Sequence, residues 1–286
     1  MIKLSNVSKY YNKNICALND ISFTINNGER VAIVGENGAG KSTLFKLLTG
    51  IFYPSAGEIE INDKSLEKEL SSLRKNIGYL PENAPLLMEL TPQQYLENLA
   101  SLYELNSFES TEKVKAACQL QNVWQRKISK LSKGFKQRVA LAAAVIHDPE
   151  ILILDEPTVG LDPLQIQQFR QMILKMSDNR ILLFSTHVLS EVENICDRCL
   201  YLENGVLKSD VKIGEQSNFW KFYYKGTWPS DIPVVTIDKK NNSESDWKLN
   251  IVDTPKPEEI ISILSKLSIE IRSVEPMKGD LESLFS

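Results

Sequence analysis

The 286-residue sequence has four cysteines, two histidines and no apolar run near the roughly 20 residues that cross a bilayer. Four scattered cysteines do not make a disulfide framework. Cys196 and Cys199 form one C-x-x-C with no second pair, where a helix passes into a strand. That pair reads as packing, not as a metal or redox centre. Positive charge is also short: 33 Lys and Arg stand against 37 Asp and Glu, a net charge of −4. The balance argues against nucleic acid or an anionic lipid surface as a partner through bulk charge. The opening Met1-Ile2-Lys3-Leu4-Ser5 lacks a signal-peptide pattern. The expectation is a cytoplasmic chain that reaches a membrane only through a partner.

What the sequence does have is an ordinary globular composition, 42% hydrophobic and 24% charged, enough for one large domain and a small one. It also has Gly35-Glu36-Asn37-Gly38-Ala39-Gly40-Lys41-Ser42-Thr43, a G-x-x-x-x-G-K-[ST] phosphate loop. The β-branched run Arg30–Val34 before it predicts a buried strand, and Leu44–Leu48, closed by Gly50, predicts a helix. Glycines let the backbone approach a triphosphate closely, and a helix N-terminus favours an anion. Lys41 supplies a point charge for the β and γ phosphates, Ser42 a hydroxyl for Mg²⁺, and Thr43 a donor for the α phosphate.

Ile2–Val7 and Asp20–Ile25 alternate like strands, and Asn26-Asn27-Gly28 reads as a hairpin turn into the phosphate-loop strand. Between the first two lie Tyr10 and Tyr11, each placed either to stack on a base or to pack on the sheet. Gly57–Ile61 reads as a further strand, and Asn76–Leu80 as a central one beside the phosphate-loop strand. From Glu82 the texture turns helical, with Pro92 after a capping Thr91 and a second helix over Thr111–Leu120. The apolar Leu86-Leu87-Met88 between prolines suits either a partner surface or packing under the helices. Ser132 and Gly134 open a long helix over Phe135–Ile146.

Glu150–Leu154 leads into Asp155 and Glu156. Four apolar residues predict a buried strand, and two carboxylates stand at its C-terminal end, where ligands sit in open α/β sheets. Asp155 is placed to hold Mg²⁺ and Glu156 to polarise an attacking water. Gly160-Leu161-Asp162-Pro163 is a turn. Ile181–Ser185 is another buried strand, with Thr186 and His187 beyond its end, where an imidazole reaches a γ phosphate. His147, at a helix end, implies no chemistry.

In this order the phosphate loop, Leu131-Ser132-x-Gly134, the Asp155-Glu156 strand end, Gly160-Leu161-Asp162 and Ser185-Thr186-His187 resemble the nucleotide-binding subunit of ABC transporters. The resemblance covers about residues 1–214. It implies an α/β fold: a P-loop ATPase head with an antiparallel β subdomain and a helical insert at about 82–145. It implies ATP and Mg²⁺, with Tyr11 stacking on adenine and Tyr10 as its alternative. Asn37, Gly38, Ala39, Gly40, Lys41, Ser42 and Thr43 would hold the nucleotide, with Asp162 beside them. Ser132 and Gly134 would bind the γ phosphate on a second ATPase subunit, Glu156 would be the catalytic base and His187 a γ-phosphate contact. A separate transmembrane permease and an identical second head would be the partners, on the inner face of the membrane.

Lys133 stands where many members have glycine, and Phe135 where many have glutamine, forms similar to the type-2 exporter branch. Glu82 follows Leu80-Pro81 where the family places a glutamine that senses Mg²⁺ and water. A carboxylate ligates the metal through water but donates no hydrogen bond when ionised.

Beyond about Gly214 a small α+β domain over 215–286 is expected. Its strands are Phe219–Tyr224, Ile232–Ile237, Trp247–Val252 and Ile269–Val274. Its helix over Pro257–Leu267 would carry Ile260, Ile263, Leu264 and Leu267 as one apolar stripe. Trp220, Trp228 and Trp247 read as the core of this domain, not as a membrane-interface belt. Asp238–Asp246 reads as a loop, and Leu281–Phe285 resembles the terminal motif of the same exporter branch. Among ABC-type alternatives, a DNA-repair ATPase would carry a long coiled-coil insert and a translation-associated one two heads on one chain. Neither feature is in the sequence.

Overall fold

Short β-branched runs separated by glycine turns form two sheets in the first 212 residues. The computed structural model describes residues 1–12, 15–213, 219–229, 232, 236–237, 248–254 and 256–276. β1 (Ile2–Asn12) and β2 (Ile15–Ile25) are long antiparallel neighbours. The strand therefore runs past its predicted end at Val7 and carries Tyr10 and Tyr11 as well. β3 (Arg30–Val34) leads into the phosphate loop and α1 (Lys41–Leu48). β4 (Ala56–Ile61), β5 (Lys64–Ser65), the short α2 (Leu70–Leu73) and β6 (Ile77–Leu80) follow.

The helical insert is α3 (Pro92–Leu102), α4 (Ser107–Ala117) and α5 (Lys133–Val145). Thr91 and Gln94 cap α3 reciprocally, side chain to backbone in both directions. Asn106, a cap absent from the sequence-based expectation, starts α4 four residues earlier than predicted, accepting from the Glu109 N–H at 3.3 Å. The chain then gives β7 (Ile151–Asp155), α6 (Pro163–Met176), β8 (Ile181–Thr186), α7 (Leu189–Ile195), β9 (Arg198–Glu203) and β10 (Val206–Lys212).

The first sheet is antiparallel, in the order β2-β1-β4-β5. The second runs β10-β9-β3-β8-β7-β6, with β9, β3, β8, β7 and β6 parallel and β10 antiparallel at the edge. Two expectations are corrected here. Asn26-Asn27-Gly28 is a turn, with Glu29 N–H on Asn26 carbonyl at 3.2 Å, but it joins two sheets and closes no hairpin. β6 is an edge strand paired only with β7, and β7 and β8 separate it from β3. A run of four apolar and small residues reads alike at an edge and at a centre when a helical layer covers it. Here α5 supplies that cover: a Cβ on Gly78 would lie 2.1 Å from the Ala144 carbonyl oxygen.

The parallel strands are buried on both faces, as their continuous apolar runs require. One face carries Val31, Ile33, Ile151, Ile153, Ile181, Leu183 and Leu200, packed with Leu44, Leu47 and Leu48 of α1. That packing fixes where the first turn of α1 points. Cys196 and Cys199 are buried, and burial pushes both thiols up, Cys199 to about 12. They are packing residues, inert at neutral pH. Among the described residues no helix is long and apolar enough to cross a membrane.

Ile213–Ser286 forms a separate compact unit. Its sheet is β12 (Thr236–Ile237), β13 (Lys248–Asp253), β11 (Phe219–Lys225) and β14 (Glu270–Pro276), in that order. α8 (Pro257–Lys266) adds Ile260 and Leu264 to a core of Phe222, Ile232 and Val252, with Trp220 and Trp228 against it. Ile263 and Leu267 are exposed, so the apolar stripe is narrower than expected, and Ile261 packs at its margin. Trp247, Asp238–Asp246 and Leu281–Phe285 lie outside the described residues.

The capping box on α3 predicts that Thr91→Ala lowers stability by about 1 kcal/mol and that Thr91→Ser retains it. Urea unfolding of the two variants checks this. Equal losses would show that the hydroxyl is not the source.

Candidate active site

The phosphate loop turns on backbone that other residues do not adopt. Gly40 has φ +108, and a Cβ there would lie 2.7 Å from both the Ala17 carbonyl oxygen and Leu18 Cδ2. Gly40 is also the N-cap of α1, with no side-chain cap and no acidic residue in the first turn. The first amides of the helix are thus left for an anion. Ala39 is buried in the core, its N–H on the Glu36 carbonyl at 3.1 Å and its own carbonyl holding the Gly205 N–H at 3.0 Å. It anchors the loop from behind.

Strand register places the carboxylates. On β7 and β8, Ile151, Ile153, Ile181 and Leu183 face α1, so the next positions on that face are Asp155 and Ser185. These two are register partners, and Ser185 Oγ donates to Asp155 Oδ1 at 2.7 Å. The same Oγ accepts the Glu156 N–H at 2.8 Å. Glu156 is held at φ +46, an uncommon conformation for a side-chain-bearing residue, just past the strand end. Ser185 had no assigned role beyond the motif. Its signal was its level with Asp155 on the neighbouring strand.

The turned Glu156 carboxylate meets two groups. Its Oε1 lies 3.3 Å from Lys41 Nζ, and both side chains are at least nine-tenths buried. His187 Nδ1 lies 2.9 Å from Oε2; since an ionised carboxylate only accepts, the imidazole donates. Lys41 Nζ also donates to the Gly35 carbonyl at 2.7 Å and the Glu36 carbonyl at 3.2 Å. The ammonium thus fills the hollow of its own loop.

These groups open on a cleft of about 610 Å³ lined by Tyr11, Asn37, Gly38, Gly40, Lys41, Ser42, Thr43, Glu82, Glu156 and His187. Tyr11 shares a 3.0 Å hydroxyl–hydroxyl hydrogen bond with Thr43 and sets its ring edge-on to Phe52 at 5.8 Å. Tyr10 is exposed, does not line the cleft, and is tied through its backbone N–H to Ser55 Oγ at 3.1 Å. Cys16, Glu36 and Val159 line the cleft as well. Glu36 is a variable position of the phosphate loop, and Cys16 and Val159 carry no motif, so only the fold could find those two.

Ser132, Gly134 and Asp162 are not among the lining residues. Ser132 caps α5, accepting from the Phe135 N–H at 3.4 Å, and Asp162 caps α6, accepting from the Gln165 N–H at 2.9 Å. Gly134 lets the two helices close: a Cβ there would lie 2.7 Å from Gln165 Oε1. Lys133 lies against Gly160, its Nζ 2.3 Å from where a Cβ would stand. The signature segment and the Gly160–Asp162 turn are therefore one packed surface.

Cys16 is the exposed thiol of the four and lines the cleft. A maleimide is expected to label Cys16 alone in the native chain, and ATP to slow that labelling. Labelling at an unchanged rate in saturating ATP would contradict the location of the site.

The ABC transporter family profile matches residues 18–159. An uncharacterized ABC transporter ATP-binding protein of Synechocystis sp. is 35% identical over 74% of this chain and 61% of its own length. The chain thus spans less than two thirds of that relative. The uncharacterized ABC transporter ATP-binding protein YhcH of Bacillus subtilis is 32% identical over all of this chain and 94% of its own. The dimeric structure of the ATP-binding cassette MJ0796, in a post-hydrolysis state with ADP and Pi, matches with a TM-score of 0.68. It is 27% identical and covers 74% of this chain and 98% of that one. With the phosphate loop, the paired carboxylates and the distal histidine gathered on one sheet edge, these likenesses establish that the chain belongs to the ABC transporter ATP-binding proteins.

Proposed function

We propose that this chain binds and hydrolyses ATP to drive a membrane transporter of the type-2 exporter branch. The observation that carries the reading is the convergence of Lys41, Glu156 and His187 at the open N-terminus of α1, with Asp155 held beside Glu156 by Ser185. When a triphosphate enters the loop, its oxygens take over Lys41 from the Gly35 and Glu36 carbonyls and from Glu156. That exchange frees a buried carboxylate next to the position of the γ phosphate. Glu156 then takes a proton from the attacking water while His187 orients the carboxylate and reaches the γ phosphate. Tyr11 offers a ring to adenine, and Thr43 and the loop amides hold phosphate oxygens.

The residues facing the loop fit Mg²⁺. Ser42, Asp155 and Glu82 offer only hard oxygen donors. No set of three or more acidic, histidine or cysteine side chains that could hold a metal by itself occurs among the described residues. Most of its ligands would therefore be phosphate and water. When bound, the ion neutralises charge on the β and γ phosphates. Glu82 lines the cleft and would approach the ion through water, in place of the amide that the family resemblance leads one to expect.

Ser132 and Gly134 are read as acting on the nucleotide of a second, identical subunit. They do not line this chain's own cleft but lie on the α5–α6 surface, which supports that reading. A permease on another polypeptide is the proposed membrane partner. Leu87 and Met88 are exposed, and Leu86 lines a groove of about 430 Å³ with Tyr95, Leu99 and Ala143. This is more apolar surface than a solvated loop needs. Residues 1–214 would be the motor and 215–286 an accessory domain.

Glu156→Gln is expected to bind ATP and to hydrolyse it at least about 100-fold more slowly, since an amide does not take up the proton. It should also accumulate an ATP-dependent dimer, seen by size-exclusion chromatography with light scattering. Wild-type turnover in this variant would move the base elsewhere.

A further inference from the structure

Tyr79 sits on β6, level with Ile153 of β7. Both belong to the sheet face that carries α1. Side chains alternate along a strand, so the next residue of β7 on that face is Asp155. A diagonal neighbour two residues along the adjacent strand is within reach of an aromatic side chain. Asp155 thus stands between two hydroxyl-bearing neighbours: Ser185 on β8 and Tyr79 on β6. Ser185 is already bonded to Oδ1 at 2.7 Å. The Tyr79 hydroxyl oxygen is buried and has no hydrogen-bond partner among the described residues. Buried polar groups without partners are uncommon, and each asks for a reason.

We propose that Tyr79 is a positioning residue of the metal–nucleotide site: its hydroxyl is the second donor that holds the Asp155 carboxylate toward the metal, from the side opposite Ser185. The proposal rests on the nucleotide-site reading above. In the nucleotide-free subunit the Asp155 carboxylate lies with its neighbour Glu156 engaged by Lys41, and the hydroxyl waits unpaired. When Mg²⁺-ATP draws Asp155 to the phosphates, the hydroxyl closes on its second oxygen. Outer donors of this kind fix the direction of a ligating carboxylate and raise metal affinity. A phenol keeps its proton at neutral pH, so the hydroxyl can donate there. Glu82, three residues on, lines the nucleotide cleft, so one short segment carries both the donor and the family's metal-sensing position.

Tyr79→Phe in the full-length chain tests this. The phenyl ring keeps the packing against α1 and removes only the hydroxyl. ATP binding is followed by a fluorescent ATP analogue, first without metal, then over a titration with Mg²⁺. The expected result is an unchanged melting temperature for the free subunit and an unchanged metal-free affinity. The half-saturating Mg²⁺ concentration should rise about tenfold. The same Mg²⁺ midpoint as wild type overturns the proposal, as does a lower melting temperature without a shift in that midpoint, which is the mark of a packing role. If wild type itself binds no ATP, the site reading falls with it, and the control shows which of the two has failed.

Discussion

A lysine ammonium buried inside a ring of backbone carbonyls is the constraint on which the rest of the site depends. Lys41 is 6% exposed, and leaving such a charge unpaired costs several kcal/mol. In this structure the Gly35 and Glu36 carbonyls and the Glu156 carboxylate share the task. At 3.3 Å the gross attraction between the two charges is about 5 kcal/mol for an effective dielectric near 20. Removing both ions from water costs a similar amount, so the pair is close to neutral in net energy. It is therefore exchangeable. A triphosphate would bring more negative charge to the same hollow and displace the carboxylate, which on the proposed function makes the base available when its substrate arrives.

The sheet supplies the alignment that makes this exchange local. α1 packs on the face of β3, β7 and β8 from which Asp155 and Ser185 also project. The phosphate loop and the carboxylates therefore share one edge without any long connection. Ser185 ties two of its neighbours together, accepting the Glu156 N–H and donating to Asp155. The left-handed turn at Glu156 points consecutive carboxylates in different directions, one toward Ser185 and one toward Lys41 and His187. Backbone strain of about 1 kcal/mol or more at that residue is held by the buried Ser185 contact.

Much of this was legible in the sequence, because the chemistry is local there. The loop glycines, Lys41, Ser42 and the Asp155-Glu156 strand end each carry their spacing in the chain. What was not legible depends on sheet order. The edge position of β6 cannot be read from Ile77–Leu80, since a helix covers it and its residues are as apolar as a central strand's. Asn26–Gly28 has hairpin residues, yet the chain changes sheet there, because β2 pairs with β1 and not with β3. Tyr79 comes level with Ile153 only through pairing with a strand far away in sequence. The cap of α4 was missed for a plainer reason: Asn106 precedes a polar first turn with little helical periodicity.

The most direct measurement of the central claim is the equilibrium affinity of the purified chain for ATP, in wild type and in Lys41→Ala. Removing a buried charge that faces two phosphates is worth about 3 kcal/mol or more, so the account predicts at least a 100-fold loss of affinity. Circular dichroism should show the fold intact in the same samples. ATP binding to Lys41→Ala with wild-type affinity would contradict the account, because the ammonium in the loop would then have no part in holding the nucleotide.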